Sequence, residues 1–419
     1  MTRTEKLLAE LIALPSVNPA FVPQGVVGTA RRAVRREAEL PTDARAARPY
    51  LHYGEKNVAD FLAAVAARAG LEVEFQNVLA LAYGQYRSNL IVRLPPRNNI
   101  HQTILLAPHL DTVDADESQF IPCRKNGRLH GRGACDTKGS IAAMLTALCE
   151  LANAKSRPGE TEIVFAGLID EEHAQAGSRA LVGQASRLSP FFSKVRDRQD
   201  ACPTLAIVGE PTRLRVVTAH KGSLWFRLDT RGKAAHGATP QFGKNAVHEM
   251  ARIVCALETG YAARLRKRKH PLLGAATVNV GAISGGTQPN IVPDRCAITI
   301  DRRTLPGETE AGVGREIAAW LRAKNMSAKM SSAKPAPAPS LETDPKLPLV
   351  RQFLQSVGQS KPAGVDYFCD AAVLAEAGIP SVVFGPGDIA QAHTADEWIS
   401  LAELERGKNL LLNFLKSLP

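Results

Sequence analysis

Short apolar runs followed by acidic or imidazole side chains are the feature that most limits how this chain can fold. Three stretches of this kind, TILLAPHLD, GRGACDTKGS and IVFAGLIDEE, follow one another between residues 103 and 172. The runs Thr103–Ala107 and Ile163–Ile169 are rich in Ile, Val and Leu without strict alternation, which is typical of parallel strands buried on both faces. Because ligands bind at the carboxyl ends of such strands, we expect the polar residues that follow them to meet in one crevice.

Two further apolar runs end in the same way. Thr204–Val208 leads to Glu210, and Ser381–Phe384 leads through a Gly-Pro-Gly turn to His393. The strand ends and the glycine-rich turn between them then supply imidazoles and carboxylates: His109, Asp111, Asp136, Glu171, Glu172, Glu210 and His393. Nitrogen and oxygen ligands of this kind suit Zn²⁺ or a neighbouring divalent ion.

The charges of these side chains favour two ions rather than one. The two ligand sets would be His109, Asp136 and Glu210 for one ion, and Asp136, Glu172 and His393 for the other. Three carboxylates then oppose two divalent cations, and a bridging hydroxide would make the cluster neutral. A dinuclear site needs a carboxylate that spans two ions roughly 3.5–4 Å apart, and Asp136 is predicted to be that bridge.

These stretches resemble the dinuclear zinc hydrolases that include acetylornithine deacetylase, succinyl-diaminopimelate desuccinylase, aminoacylase and carboxypeptidase G. The matching residues occur in the family's order and cover nearly the whole chain: His109-Leu110-Asp111, Gly131-Arg132-Gly133 with Asp136-Thr137-Lys138-Gly139, Glu171-Glu172, Gly209-Glu210-Pro211-Thr212 and Ala392-His393-Thr394-Ala395-Asp396-Glu397. Each stretch alone is a weak signal, but the ordered set is specific. The resemblance implies two zinc ions, with Co²⁺ or Mn²⁺ as substitutes.

The residues next to the ligands can be given roles. His109 and Asp111 share one face of an extended segment, so Asp111 can accept a hydrogen bond from the ring nitrogen that does not bind metal. Glu171 and Glu172 are neighbours, and in an extended backbone their side chains would point apart, so only one would bind metal. The resemblance implies that Glu172 is the ligand and that Glu171 is the general base acting on a metal-bridging water.

The resemblance also implies substrate contacts from a second domain. His236, in RGKAAHGATP, would donate a hydrogen bond to the developing oxyanion, often from the partner subunit. Arg303 and Asn290 would hold the substrate carboxylate, for which an arginine fork is well suited. Nearer the ligands, Asp396 and Glu397 are interpreted either as solvated residues or as residues that support the ligands.

The length of 419 residues exceeds what one hydrophobic core usually supports, so two domains are expected. Alternating strands and helices predict an α/β catalytic domain of three layers with a mixed, mostly parallel sheet, formed by residues 1–212 and 333–419. Between 213 and 332 the order β-α-β-β-α predicts an inserted ferredoxin-like α+β domain. By resemblance this insertion is a lid and dimerisation domain, so a homodimer is expected.

The ends of the inserted domain are predicted from local patterns. Its hinges are placed near Thr212–Val217 and in the proline-rich Ser331–Ser340. Alternation over Val216–Thr230 predicts one long strand after the first hinge. Two basic segments, 22–50 and 183–202, depart from the family pattern and are interpreted as surface-loop insertions without a chemical role.

Composition excludes several classes of protein. No apolar stretch reaches the roughly 18 residues that a membrane helix needs. The net charge of +11 is spread over separate segments without interleaved aromatic residues, so nucleic acid is not an expected partner. Seven scattered cysteines without a C-x-x-C pair, and an N-terminus without a signal-peptide core, favour a cytoplasmic protein.

The sequence therefore predicts a zinc-dependent amidohydrolase that cleaves an N-acyl amino acid, closest to acetylornithine deacetylase by resemblance. Two alternatives use the same site: a metallo-dipeptidase or carboxypeptidase acting on short peptides, and a succinyl-diaminopimelate desuccinylase. A more remote alternative is a non-catalytic binding protein that keeps the fold. The presence of every ligand and of Glu171 argues against it, since loss of ligands would mark such a protein.

Overall fold

A computed structural model of the chain describes residues 1–21, 54–80, 86–185, 203–334 and 336–419. The predicted insertions at 22–50 and 183–202 lie outside these ranges, except for 183–185. The chain divides into two compact units. The first comprises Met1–Val217, Thr343–Pro362 and Val373–Pro419, and the second comprises Thr218–Glu342 and Ala363–Ala372. The domain limits expected at 212 and 332 stay predictions.

The α-helices found within the described ranges are α1 (Arg3–Ile12), α2 (Lys56–Arg68), α3 (Lys138–Ala152), α4 (Ala176–Ala185), α5 (Ala246–Ala256), α6 (Ala262–Leu265), α7 (Glu310–Arg322), α8 (Pro348–Ser356), α9 (Ala371–Glu376) and α10 (Leu401–Lys416). Several helices begin at a side-chain cap. Thr2 accepts a hydrogen bond from the Glu5 amide at the start of α1, and Ser400 accepts one from the Glu403 amide at the start of α10. Such caps satisfy amide groups that have no partner inside the helix.

The strands in the same ranges are β1 (Glu72–Ala80), β2 (Tyr86–Leu94), β3 (Gln102–Ala107), β4 (Cys123–Lys125), β5 (Arg128–His130), β6 (Thr161–Gly167), β7 (Leu205–Val208), β8 (Val217–His220), β9 (Gly222–Arg231), β10 (Lys269–His270), β11 (Gly274–Ala275), β12 (Thr277–Gly285), β13 (Arg295–Thr304), β14 (Lys329–Ser332), β15 (Leu341–Glu342), β16 (Ala363–Val365), β17 (Ser381–Val383) and β18 (Trp398–Ser400).

The first unit is built on a mixed sheet in the order β1-β2-β6-β3-β7-β17. The pairs β6–β3, β3–β7 and β7–β17 are parallel, whereas β1 and β2 are antiparallel additions at one edge. Consecutive residues such as Ile104, Leu105 and Leu106 are all fully buried, so both faces of the central strands are covered. The prediction of a three-layer α/β fold with a mixed, mostly parallel sheet is confirmed.

The largest hydrophobic core lies on one face of this sheet. It combines alternate residues of the strands with the apolar faces of α1, α2, α3, α8 and α10. Helix α3 is buried along almost its whole length, as expected for a helix packed between other helices and a sheet. Asp136 lies two residues before this helix begins, so the central core fixes the position of that carboxylate.

The second unit contains an antiparallel sheet in the order β12-β13-β9-β14. With α5 between β9 and β12 and α7 between β13 and β14, the element order is β-α-β-β-α-β, the ferredoxin-like arrangement. The sequence pattern predicted this order without its last strand. Ser331 and Ser332, which were assigned to a hinge, belong to β14 and pair with β9.

The long strand predicted over Val216–Thr230 is wrong, because two strands occupy this range and are separated at Lys221. Val217 of β8 pairs with Val383 in the first unit, whereas β9 joins the sheet of the second unit. A strand that leaves one sheet for another must break its ladder, and an alternating apolar pattern carries no sign of that break. Among the described residues no helix is both long and apolar enough to cross a membrane.

Candidate metal centre

Four neighbouring strands of the first unit deliver the predicted ligands at their carboxyl ends. His109 follows β3, Glu172 follows β6, Glu210 follows β7 and His393 lies beyond β17. Since β6, β3, β7 and β17 are adjacent and parallel, these ends lie at the same edge of the sheet. The convergence expected from the apolar runs is what the structure shows.

His109 is the centre of the first ligand group. Its Nε2 atom lies 3.1 Å from Asp136 Oδ1 and 3.9 Å from Glu210 Oε1. All three side chains are at least nine-tenths buried. The other ring nitrogen, Nδ1, lies 3.0 Å from the main-chain oxygen of Asp111 and 3.5 Å from its Oδ1. The proton of a neutral ring therefore belongs on Nδ1, which leaves Nε2 as the atom available to a cation.

The second group shares Asp136 with the first. His393 Nε2 lies 3.4 Å from Asp136 Oδ2 and 3.2 Å from Glu172 Oε2. Asp136 thus turns one carboxylate oxygen to His109 and the other to His393. In each group, one candidate ligand atom per residue lies within 4.8 Å of the other two.

A tight turn places Asp136 between the two imidazoles. Gly133 has φ +79°, and a Cβ atom there would lie 2.9 Å from Lys138 Cδ and 3.0 Å from Thr112 Cγ2, so a side chain does not fit. The Thr137 hydroxyl donates to the main-chain oxygen of His109 at 3.0 Å and ties the end of the turn to the strand end.

Glu397 organises this turn from the far end of the chain. Its Oε1 accepts from the amides of Cys135 and Asp136 at 2.8 and 3.0 Å, and its Oε2 accepts from the Gly133 amide at 2.9 Å and from Arg132 Nη1 at 2.8 Å. The side chain has no exposed surface. The interpretation of Glu397 as a solvated residue is therefore wrong. The structure agrees with the other interpretation, in which Glu397 supports the ligands. Its burial had no signal in the sequence, because an acidic residue beside Asp396 looks like a surface turn.

Glu171 and Glu172 are held through their main chain rather than by strand geometry. Asp111 Oδ1 accepts from the Glu171 amide at 3.1 Å, and Asp111 Oδ2 accepts from the Glu172 amide at 3.2 Å. The segment is a turn entered at Asp170, whose φ is +66°, so the premise of an extended backbone is wrong. Glu171 is 9 % exposed, in keeping with a carboxylate inside the crevice.

A buried polar network lies behind Asp111. Asn18 Nδ2 donates to Asp111 Oδ2 at 2.7 Å and to Asp170 Oδ1 at 3.0 Å. Arg87 Nη1 donates to the same Asp170 oxygen at 3.0 Å, and the Arg87 guanidinium also binds the Glu55 carboxylate through two nitrogens. Asn18, Glu55 and Arg87 come from separate parts of the chain, so no local pattern indicates that they form one network with Asp111.

The electrostatics of the two groups favour positive charge at the centre. Hydrogen bonds to Asp136 and Glu172 raise the pKa of His393 to about 10. Burial alone would lower the pKa of His109, but its carboxylate neighbours hold that pKa well above the ordinary value. Burial would likewise raise the pKa of Asp136, yet hydrogen bonds from the two imidazoles keep it below its usual range. Divalent cations would supply this charge in place of the imidazole protons.

The donor set also fits bound metal on structural grounds. Burial raises the pKa of Glu172, and its Oε1 atom has no hydrogen-bond partner within the described part of the chain. A buried carboxylate oxygen without a partner is costly, and a cation would satisfy it. Two imidazoles and three carboxylates are ligands that Zn²⁺ and its neighbours accept.

The second unit contains the predicted substrate residues. His236 is exposed, and its Nδ1 accepts from the Ala238 amide at 3.1 Å. The segment around His236 pairs with the segment around Asn290. His236 forms a β-bridge with Ile291, and the Gly237 amide donates to the main-chain oxygen of Asn290 at 2.7 Å. The structure therefore brings His236 and Asn290 together.

Arg303 lies elsewhere in the second unit, on β13. Its Nε donates to Asp301 Oδ2 at 2.9 Å, and its guanidinium carbon lies 5.6 Å from the centre of the Phe368 ring. The adjacent Arg302 is fully buried and bonded to Glu308. Because neighbouring residues of a strand face opposite sides of the sheet, only Arg303 of this pair is accessible to a substrate.

Residues 105–417 match Peptidase family M20/M25/M40. Acetylornithine deacetylase of Myxococcus xanthus is 30% identical over 366 residues, which cover 84% of this chain and 89% of that protein. Aminopeptidase PepT of Bacillus cereus ATCC 10987 has the same fold, with a TM-score of 0.70 and 21% identity over 99% of this chain and 97% of that chain. Bacillus subtilis YXEP protein, described as a dinuclear metal-binding peptidase, gives a TM-score of 0.63 and 13% identity over 99% and 97%.

Fold, ligand groups and relatives together define a metal-dependent amidohydrolase. More particularly, the chain belongs to Peptidase family M20/M25/M40, and the resemblance read from the sequence is confirmed.

Proposed function

We propose that this protein hydrolyses the amide bond of an N-acyl amino acid, as an acetylornithine deacetylase does, with two zinc ions at the centre. The observation that carries the proposal is the position of Asp136, whose two oxygens face the Nε2 atoms of His109 and His393 at 3.1 and 3.4 Å. A carboxylate placed between two imidazoles can hold two ions at once. The curated relative that matches 84% of the chain supports the choice of substrate class.

Each ion would have its own ligands besides Asp136. His109 and Glu210 would hold one ion, and Glu172 and His393 would hold the other. When bound, the ions polarise the scissile carbonyl and make water a nucleophile near neutral pH. Asp111 keeps the His109 ring oriented through its main-chain oxygen and fixes the Glu171–Glu172 turn through its carboxylate.

Glu171 is the proposed general base. It lies inside the crevice, next to the ligand Glu172, and its amide is anchored to Asp111. From this position its carboxylate can take a proton from the attacking water and later give it to the leaving nitrogen. Closeness to the ligands without being one of them is what a base needs, because a carboxylate bound to metal cannot also carry the proton.

His236 is the proposed oxyanion donor. Because its Nδ1 accepts from the Ala238 amide, the proton of the neutral ring lies on Nε2, which can then donate to a developing negative charge. Arg303 and Asn290 are proposed to bind the substrate carboxylate. In a homodimer, His236 would act on the centre of the partner subunit.

The test of the proposal pairs two adjacent substitutions. Glu171→Ala should abolish turnover while metal content stays near two ions per chain, because the base is not a ligand. Glu172→Ala should lose one ion as well as activity. Metal analysis and activity are measured on the same preparations. Metal loss in Glu171→Ala, or full activity in that variant, would sink the assignment.

A substrate panel decides between the reactions that the family's site can catalyse. We expect N-acetylornithine to be hydrolysed faster than N-succinyl-diaminopimelate or simple dipeptides. Faster cleavage of dipeptides would instead make the protein a metallo-dipeptidase. No hydrolysis of any panel member by protein with two bound ions would count against the deacylase proposal and leave the binding-protein alternative.

The proposed dimer is tested by mixing two inactive variants, Glu171→Ala and His236→Ala. If exchange is random and His236 acts across subunits, about half of the dimers are mixed and each has one intact site of two. Activity should then return to about a quarter of the wild-type value. Proven exchange without any return of activity would show that His236 does not act across subunits.

We also propose a cytoplasmic location for the protein, because its cysteines are scattered along the sequence without a C-x-x-C pair.

A further inference from the structure

A cleft of ≈ 260 Å³ lies in the first unit where α1, α2 and α3 meet. Its rim carries Arg3, Lys6 and Glu10 from α1 and Arg68 from α2, and Thr146 of α3 also lines it. Arg3, Lys6 and Glu10 are three and four positions apart on α1, so they form one stripe on the face of the helix that borders the cleft. None of them belongs to the metal centre.

The charges around this cleft do not balance. Three cations face one carboxylate, and within the described ranges none of Arg3, Lys6 and Arg68 forms an ion pair. On another face of the same helix, Glu5 does form a pair, with Arg124 at 2.7 Å. Arg3 also lies in the first turn of α1, where the helix dipole disfavours a cation. An anion between the three cations would offset both unfavourable terms.

Thr146 gives a second and independent indication. It is 1 % exposed, and its hydroxyl has no hydrogen-bond partner among the residues that the structure describes. A threonine inside a helix usually bonds the carbonyl one turn earlier, and this one does not. A buried hydroxyl without a partner in the lining of a cleft is a donor that a ligand oxygen would satisfy.

We propose that this cleft binds a small dianion, either a phosphate group or a dicarboxylate. Two guanidinium groups and an ammonium group around one space can only donate hydrogen bonds, which favours an anionic ligand with several acceptor oxygens. Leu7 and Val65 add an apolar wall, so a short carbon chain attached to the anion is also accommodated. The site is independent of the proposed hydrolase chemistry.

The test is equilibrium dialysis of the full chain with its metal bound, using labelled inorganic phosphate in one arm and labelled succinate in the other. We expect binding with a Kd on the order of millimolar, weakened by added NaCl because the cations are exposed. Arg68→Ala should weaken binding about fivefold. Its matched control is Arg322→Ala, since both arginines are exposed and lie in the last turn of a helix.

Thr146→Val separates ligand binding from stability. The change keeps the shape of the side chain and removes the hydroxyl, so binding should weaken about tenfold while the melting temperature without ligand stays constant or rises. Phosphate held at the metal centre is common to all variants and cancels in the comparison. The proposal is overturned if neither probe binds, or if Arg68→Ala and Thr146→Val bind both probes as tightly as Arg322→Ala does.

Discussion

Replacing Glu397 by Gln tests whether one buried carboxylate holds the turn that carries Asp136. Glu397 accepts four hydrogen bonds, two on each oxygen, from three main-chain amides and Arg132. A Gln side chain has only one acceptor oxygen, so in either orientation two buried donors lose their partner and face an NH₂ group. Arg132, which is 4 % exposed, also loses its counter-charge.

The magnitude follows from these losses. Each unsatisfied buried donor costs about 1–3 kcal/mol, and breaking a buried ion pair by removing one partner costs about 3–5 kcal/mol. The contributions overlap because they share one side chain, so we expect Glu397→Gln to lower the free energy of unfolding by about 3–5 kcal/mol. Since Asp136 belongs to both ligand groups, the variant should also bind both ions more weakly.

The assay is urea unfolding with and without a chelator, together with metal analysis of the purified protein. The matched control is Asp396→Asn, which makes the same kind of change at the exposed neighbouring position. The chelator separates stability due to the turn from stability due to bound metal. If Glu397→Gln and Asp396→Asn unfold at the same urea concentration and hold the same amount of metal, the reasoning is refuted.

Two further predictions concern the imidazole and the network behind it. With a chelator present, the pKa of His393 is about 10 against an ordinary value of 6.5, so its stabilising contribution is complete below pH 6.5 and is lost as the pH rises through 10. The difference in melting temperature between wild type and His393→Gln should therefore be largest near pH 6 and vanish above pH 10; a constant difference would contradict this. Asn18→Leu removes two hydrogen bonds to carboxylates and should cost about 2–4 kcal/mol in urea unfolding, and Asn18→Asp should cost more because it adds a third negative charge between Asp111 and Asp170. Equal stability of the two Asn18 variants would show that the network carries no excess negative charge.

The parts of the fold that depend on local pattern could be predicted from the sequence. The run at Thr103–Ala107 corresponds to β3, which is one residue longer, and the run at Ile163–Ile169 overlaps β6. The meeting of the strand-end ligands followed from the same logic, because parallel strands bring their carboxyl ends to one edge whatever lies between them in the chain. The choice of Glu172 over Glu171 as a ligand came instead from the resemblance to the family. His109, Asp136, Glu172, Glu210 and His393 are grouped by the structure as the sequence predicted, although their binding of metal stays a prediction.

The parts that depend on distant contacts could not be predicted. Glu397 looks like a surface residue until its four donors are placed around it, and those donors come from a turn more than 260 residues away. Asn18 and Arg87 are also far apart in the sequence, and they come together only because both donate to Asp170. The break at Lys221 and the short strand β14 also follow from which sheet each segment joins, and side-chain alternation does not record that choice.

The tie between Glu397 and the amide of Asp136 joins residues 261 positions apart, which has a consequence for how the protein is made. A nascent chain that has left the ribosome as far as residue 390 already contains His109, Asp136 and Glu210, but neither His393 nor the carboxylate that shapes the turn. Metal should therefore enter only after synthesis is nearly complete. Products of premature termination before Glu397 are then expected to hold less metal than the full chain at the same metal supply.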